Sequence, residues 1–173
     1  MKTLIGFCDV NDLEKLQHFL HNHWRENHIL ARSKVLMDWM YFNKEKRRYN
    51  FIIAKNEMNE ILAILGYVSP RHYDHQIEIE DIWQTIWKVR DDVNLPGLGL
   101  VLHKFLLREL KPRSVGGIGL SKMVIPLSLV LGFQHGIAKH YYLLNDKKQS
   151  FKIIKTNGHT TNAEESQFGD LFM

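Results

Sequence analysis

Leu13, Leu16, Phe19 and Leu20 recur at spacings of three and four, a pattern that predicts a helix over residues 11–23 with one buried face. A short apolar segment, residues 3–8, precedes it as a first strand, and Asp9 or Asn11 stands where a helix cap belongs. Leu30, Val35, Leu36, Trp39 and Met40 predict a second helix over residues 29–42, ended by the basic loop 43–48. The runs YNFIIAK (49–55) and EILAILGYV (60–68) flank the polar residues 56–59, which predicts a β-hairpin. Residues 69–76, with Pro70 and two histidines, read as a loop.

The stretch 77–110, IEIEDIWQTIWKVRDDVNLPGLGLVLHKFLLREL, carries the most information. As far as Val89 it alternates and is rich in Ile, Trp, Thr and Val, as a strand does, and from Leu100 to Leu110 its apolar positions take helical spacing. If the alternation holds, Asp81 shares a face with Trp83, Thr85, Trp87 and Val89, and Glu78 with Glu80 takes the other. Between strand and helix lies Pro96-Gly97-Leu98-Gly99. Glycines at such a junction let backbone approach a ligand, and the first free amides of the helix offer donors and a positive dipole end to an anion. The outline is that of a phosphate site.

Beyond it, SVGGIGL (114–120) predicts a strand and residues 122–131 a helix, with Pro126 in the first turn and Gly132-Phe133 closing it. Residues 136–144 and 151–156 predict two more strands, and 158–173 a polar tail ending in the apolar Leu171-Phe172-Met173.

A chain of 173 residues with 45% apolar and 11% aromatic residues buries a core of ordinary size and is most simply one domain. It has no apolar run of about 18 residues for a membrane span, and acidic residues arrive early in the N-terminal stretch. A cytoplasmic protein is expected. The net charge of +4, with clusters at 44–48, at Lys111 and Arg113 and at Lys147 and Lys148, reads as solvated surface, the alternatives being attraction of a polyanionic small molecule, a membrane surface or nucleic acid. Dedicated nucleic-acid motifs are missing, so no nucleic-acid partner is expected. Cys8 is the single cysteine; it excludes an internal disulfide and a cysteine-cluster metal site, and is expected to pack as a small buried apolar residue. His18, His21, His23 and His28 cluster without an HExxH pattern, so no metal is expected.

The element order, together with Asn94, Gly97 and Gly99 in the turn and Gly132-Phe133 after the last helix, resembles the GCN5-related N-acetyltransferase (GNAT) superfamily over residues 1–157. In that superfamily the turn reads Arg or Gln, two residues, Gly, one residue, then Gly or Ala; Asn94 departs from it. The resemblance implies an α/β (mixed α+β) acyl-CoA N-acyltransferase fold, a splayed mixed sheet of about seven strands flanked by about four helices. Residues 1–157 would form the acyltransferase domain and 158–173 a C-terminal tail. Acetyl-CoA would sit between the fourth and fifth strands, its pyrophosphate on the amides of residues 95–100 and its pantetheine on backbone around Val89. A narrower likeness rests on HW..NHIL (23–30), ILG (64–66), DIW...WKV (81–89), LPGLGL (95–100) and HYYLLN (140–145). These resemble a subgroup associated with bacterial surface-polysaccharide (O-antigen or capsule) biosynthesis, which implies an amino sugar, nucleotide-linked or free, as the amine acceptor.

The implied reaction is direct attack of the amine on the thioester, which requires a base, an oxyanion donor and a proton for the leaving thiolate. The cofactor-binding set is then Val89, whose amide could also serve the oxyanion, with Asn94, Leu95, Gly97, Leu98, Gly99, Leu100 and Ser128. Ser128 stands where the superfamily usually carries its general-acid tyrosine. Asp81 is the preferred base, against the plainer reading of a solvated strand-start carboxylate. Tyr141 or Tyr142 would act as acid, against ordinary strand aromatics; adjacent strand residues face opposite ways, so one of the two reaches the cleft. Trp24, Asn27, His28, Trp83 and His140 would line the acceptor side, the alternative being that Trp24 packs in the core and Asn27 caps the second helix. Two other classes fit the same residues: a fold-related aminoacyl or longer-chain acyltransferase, and a non-catalytic acyl-CoA-binding module. A homodimer is compatible with all three.

Overall fold

The computed structural model describes residues 3–122 and 124–139. Among the described residues six strands, β1 (Leu4–Asp9), β2 (Phe42–Asn43), β3 (Arg48–Lys55), β4 (Ile61–Val68), β5 (Asp81–Val89) and β6 (Ser114–Gly117), form one sheet. Their order is β1-β3-β4-β5-β6, with β2 beside β3. Neighbours are antiparallel except β5 and β6, which run parallel. The middle strands β3 and β4 are buried along nearly their whole length, because helices cover both faces and leave no side of these strands for water.

On one face α1 (Leu13–Phe19), α2 (Ile29–Arg32) and α3 (Lys34–Tyr41) pack Leu16, Phe19, Leu30, Met37 and Tyr41 against Phe51, Ile53, Ile64 and Ile86. On the other, α4 (Leu98–Leu110) sets Leu98, Leu102 and Leu106 against Ile52, Ala54, Leu65 and Ile82. The four-residue spacing of those leucines is the buried stripe of an amphipathic helix. Cys8 is fully buried, and burial pushes its thiol pKa up, as befits an unreactive packing residue.

The predicted hairpin and central strand–turn–helix are present, with adjusted ends. The expected first helix is divided: Asp9 caps a 3-10 turn, Val10–Asp12, by accepting from the Asn11 amide at 2.9 Å; α1 follows, and a π turn, Leu20–Trp24, ends it with Arg25 N donating to Leu20 O. The expected second helix breaks at Ser33, whose backbone is extended and whose hydroxyl caps α3 through Leu36 N at 3.2 Å. Its last predicted residue, Phe42, starts β2 instead. β5 begins at Asp81 rather than at residue 77, because β4 supplies partners only up to Val68, opposite Trp83, and β6 only from Ser114, opposite Asp81. β6 stops at Gly117 rather than at residue 120, just before Gly119 takes a positive φ of 77°.

The chain divides into two compact units, Met1–Ile118 and Gly119–Met173. In the second, α5 (Ile125–Val130) is shorter than the predicted helix; Pro126 lies in its first turn, Gly132 has φ 85° and Phe133 N bonds back to Ser128 O. Residues 136–139 belong to no strand. The remainder of the strand expected at 136–144, the strand at 151–156 and the tail 158–173 lie outside the described residues. Among the described residues no helix is long and apolar enough to cross a membrane.

Candidate active site

β5 does not alternate along its whole length. Ile82 packs under α4, Gln84 reaches the α4 residue His103, and Trp87 and Val89 pack on that same side. Thr85 and Ile86, though adjacent, both face α1 and α3: Thr85 Oγ1 meets the Tyr41 hydroxyl and Ile86 joins the core of that face. The ladder with β4 explains this, since it skips from Leu65↔Trp87 to Tyr67↔Gln84 and sets two residues of β5 against Gly66 alone. This is a β-bulge, which re-aims every side chain beyond it. The expectation that Asp81, Trp83, Thr85, Trp87 and Val89 share one face is therefore corrected: Trp87 and Val89 lie on the opposite face from Trp83 and Thr85. Gly66 is required there, because a Cβ on it would stand 2.7 Å from both Phe51 Cε1 and Thr85 Oγ1.

The parallel ladder with β6 runs only from Asp81↔Ser114 to Gln84↔Gly117. Residues 85–89 continue past its end, and the chain then reaches the turn expected to hold an anion. There Leu98 N donates to Leu95 O, and Gly97, with φ 81°, begins α4 without any side chain capping it. The amides of Gly99 and Leu100 belong to the first helical turn, which has no intrahelical acceptors. Among the described residues nothing lies within 4 Å of where a Gly97 Cβ would be, so these residues leave the outer side of the turn open. Gly99 is different: a Cβ would come 3.0 Å from Trp87 Nε1 and 3.6 Å from Val89 Cγ2. Its missing side chain lets α4 start against β5. Leu95 packs into the core and Asn94 is exposed.

Two polar pairs, each with one buried partner, flank the end of the ladder. On the α4 face, Gln84 Nε2 lies 2.7 Å from His103 Nδ1, and the imidazole stacks on Trp87 at 5.5 Å between centroids. Burial holds His103 below its ordinary pKa, so the ring is neutral and its Nδ1 accepts from the glutamine amide. On the opposite face, the Tyr41 hydroxyl donates to Thr85 Oγ1 at 3.1 Å. Gln84, His103, Tyr41 and Gly66 were not among the expected site residues. Two of them had a signal in the sequence: a lone glycine in a β-rich run suggests a bulge, and His103 falls beside Leu98, Leu102 and Leu106 on the buried stripe of α4.

No protein-family model and no curated protein sequence matches the chain. Solved structures do match. AAC(6')-Iy bound to the bisubstrate analogue CoA-S-monomethyl-acetylneamine aligns with a TM-score of 0.57 at 12% identity, over 84% of this chain and 99% of that one. A mosquito arylalkylamine N-acetyltransferase-like protein aligns at 0.56 and 13%, over 77% and 84%. The ribosomal-protein-alanine N-acetyltransferase of Brucella melitensis aligns at 0.53 and 11%, over 83% and 99%. The fold is that of the GNAT acetyltransferases.

Within the GNAT fold the remaining expected residues fall as follows. Asp81 sits at the start of β5, where Arg113 grips both carboxylate oxygens and Ser114 Oγ donates to Oδ1 at 2.6 Å. Arg113 and then Ser114 hold its pKa below the ordinary carboxylate value. Four residues separate Asp81 from Thr85, roughly 13 Å along a strand. Trp24 is exposed at the end of the π turn. Asn27 takes φ 58° and its amide donates to His21 Nδ1, so it does not cap the second helix. His28 does, its Nδ1 accepting from Leu30 N at 3.3 Å, while burial and then Arg25 lower its pKa. Ser128, in the second unit, bonds the carbonyls of Val124 and Ile125 and lies 2.8 Å from His135 Nε2. His140, Tyr141 and Tyr142 lie outside the described residues. A cleft of about 370 Å³ opens between α1, the β3–β4 turn and Arg90; Arg90 is five residues past Thr85, roughly 16 Å along the strand, so this cleft is separate from the ladder end.

Proposed function

We propose that the protein is an N-acetyltransferase that moves the acetyl group of acetyl-CoA to a primary amine. One observation carries this reading within the GNAT fold: the β5–β6 ladder ends at Gln84↔Gly117, and the edge beyond it leads to an uncapped helix start at Gly97 with open space outside. An extended pantetheine suits a strand edge that has lost its neighbour, and a diphosphate suits the first-turn amides of Gly99 and Leu100. Val89, Asn94, Leu95, Gly97, Leu98, Gly99 and Leu100 make up the proposed donor site, and Ser128 is kept with them on the superfamily resemblance alone.

The amine nitrogen attacks the thioester carbonyl, the C–N bond forms, the C–S bond breaks, and the thiolate takes up a proton as the amine loses one. The bulge at Thr85 and Ile86 turns an amide out of the ladder, and Val89, opposite Ala63 and next to the bond from Arg90 N to Leu62 O, points its own amide away from β4 toward the gap; these are the two proposed oxyanion donors. Asp81 is assigned the ion pair that ties the start of β5 to Arg113, not the role of base. Tyr141 or Tyr142 is proposed to protonate the thiolate. The acceptor class is an amino sugar, nucleotide-linked or free, of surface-polysaccharide synthesis; Trp24, Asn27, His28 and His140 are its proposed outer contacts.

The engagement of Asp81 favours a second reading, an acyl-CoA-binding module without turnover. Thermal denaturation with and without acetyl-CoA, followed by thiol release with a panel of amino sugars, separates the cases. Protection with turnover supports the enzyme, protection alone the module, and absence of protection removes both.

A further inference from the structure

At the last step of the β5–β6 ladder the side chains on the α3 face are unlike the rest of the sheet. Trp83 pairs with Val68, a residue of the α1–α3 core face, and so projects to that face. Across the parallel ladder its partner is Gly116, and a Cβ there would stand 3.2 Å from indole Cε3 and Cζ3. The indole therefore lies flat over β6, and the glycine is what permits it. Trp83 remains 47% exposed. Two residues on, Thr85 is the first residue past the end of the ladder, also exposed, on the same face. Tyr41 donates to its oxygen, and Tyr41 is itself immobilised, fully buried with its ring 4.6 Å from that of Phe51. The result is a flat aromatic surface and, about 7 Å further along the strand, a hydroxyl of fixed orientation at the point where β5 and β6 part.

We propose that this surface is the acceptor site, that it takes an amine carried on a ring with an apolar face, and that Thr85 positions the reacting nitrogen. The inference rests on the acetyl-transfer reading, because the donor must enter from the gap beside Thr85. The ring lies on the outer face of Trp83, which offers a large apolar contact and attracts a nearby ammonium. With one lone pair of Thr85 Oγ occupied by Tyr41, the hydroxyl keeps a second lone pair and its own proton. The free lone pair accepts one N–H of the neutral amine, which turns the nitrogen lone pair toward the gap. Tyr41 is a positioning residue that acts through Thr85. A straight-chain amine meets the hydroxyl without the platform and is held more weakly.

The test uses the full chain, isotopically labelled, with coenzyme A bound and neamine, tryptamine or n-butylamine added while the Trp83 indole and Thr85 signals are followed. At least one ring amine is expected to shift both signals, and n-butylamine to leave the indole unmoved. Trp83→Ala should weaken the ring amine about five- to tenfold and leave coenzyme A affinity unchanged. In acetyl-CoA turnover with the ring amine, Thr85→Val should lower kcat about tenfold, with Thr85→Ser restoring most of it and Tyr41→Phe falling between. A Trp83 signal indifferent to both ring amines while coenzyme A is bound overturns the acceptor site alone, as does a Trp83→Ala protein that binds the ring amine like wild type. A wild-type chain that fails to bind coenzyme A overturns the acetyl-transfer reading and this inference with it.

Discussion

Gly66 shows how much a single missing side chain decides. The bulge needs Thr85 and Ile86 to turn the same way, and Gly66 is the opposing residue that leaves them room. Gly66→Ala puts a methyl group 2.7 Å from Phe51 and Thr85 and is expected to cost about 1–3 kcal/mol, measured as a lower urea midpoint at unchanged slope. His103 sets a pH dependence at the same scale. Burial holds its pKa below 6.5, so on acidification the unfolded chain takes up the proton first. The stability that neutral His103 contributes is complete above about pH 6.5 and is lost as pH falls from there through its folded value. Urea midpoints between about pH 7.5 and 5 should fall less steeply in His103→Asn than in wild type. His23 and His28, also held low mainly by burial, continue to contribute to the remaining slope in both proteins.

Among the elements, the start of α4 depends on two glycines for different reasons. Gly97 serves by its backbone: φ is 81° and no described residue approaches its Cβ position, so Gly97→Ala should cost about 1–2 kcal/mol through the left-handed conformation while acetyl-CoA still protects the protein on heating. Gly99 serves by its bareness, since α4 meets Trp87 and Val89 there. Gly99→Val should cost about 1–3 kcal/mol by overpacking and also displace the first helical turn, so that acetyl-CoA protection falls well below that of Gly97→Ala. Equal protection in the two variants, read by thermal denaturation, would count against a donor site on this turn. The strand–turn–helix unit could be read from residues 77–110 alone, because its period changes from two to helical spacing across a glycine pair. The bulge inside it could not, since an alternating run looks the same whether or not its partner strand skips a residue.

For the whole molecule the relevant quantity is how far donor binding shifts the folding equilibrium. Acetyl-CoA at about 100 times its dissociation constant should add about 2.7 kcal/mol, a rise in Tm of about 5–10 °C for a chain of this size. A shift that does not grow with acetyl-CoA concentration would show that the donor is not bound by the native state. As far as α5 the sequence by itself determined the order of the main strands and helices, apart from β2 and the break between α2 and α3, together with the hairpin and the glycine turn leading into α4, because these follow from local periodicity and from backbone freedom at particular residues. It also exposed a core face for each helix, since Leu13, Leu16, Leu102 and Leu106 keep helical spacing. Only the tertiary structure decided which side chains meet. It gave Asp81 to Arg113, Gln84 to His103 and Thr85 to Tyr41. These pairs span 32, 19 and 44 residues, and pairing at that range is set by strand register and helix packing, which no local pattern of residues encodes.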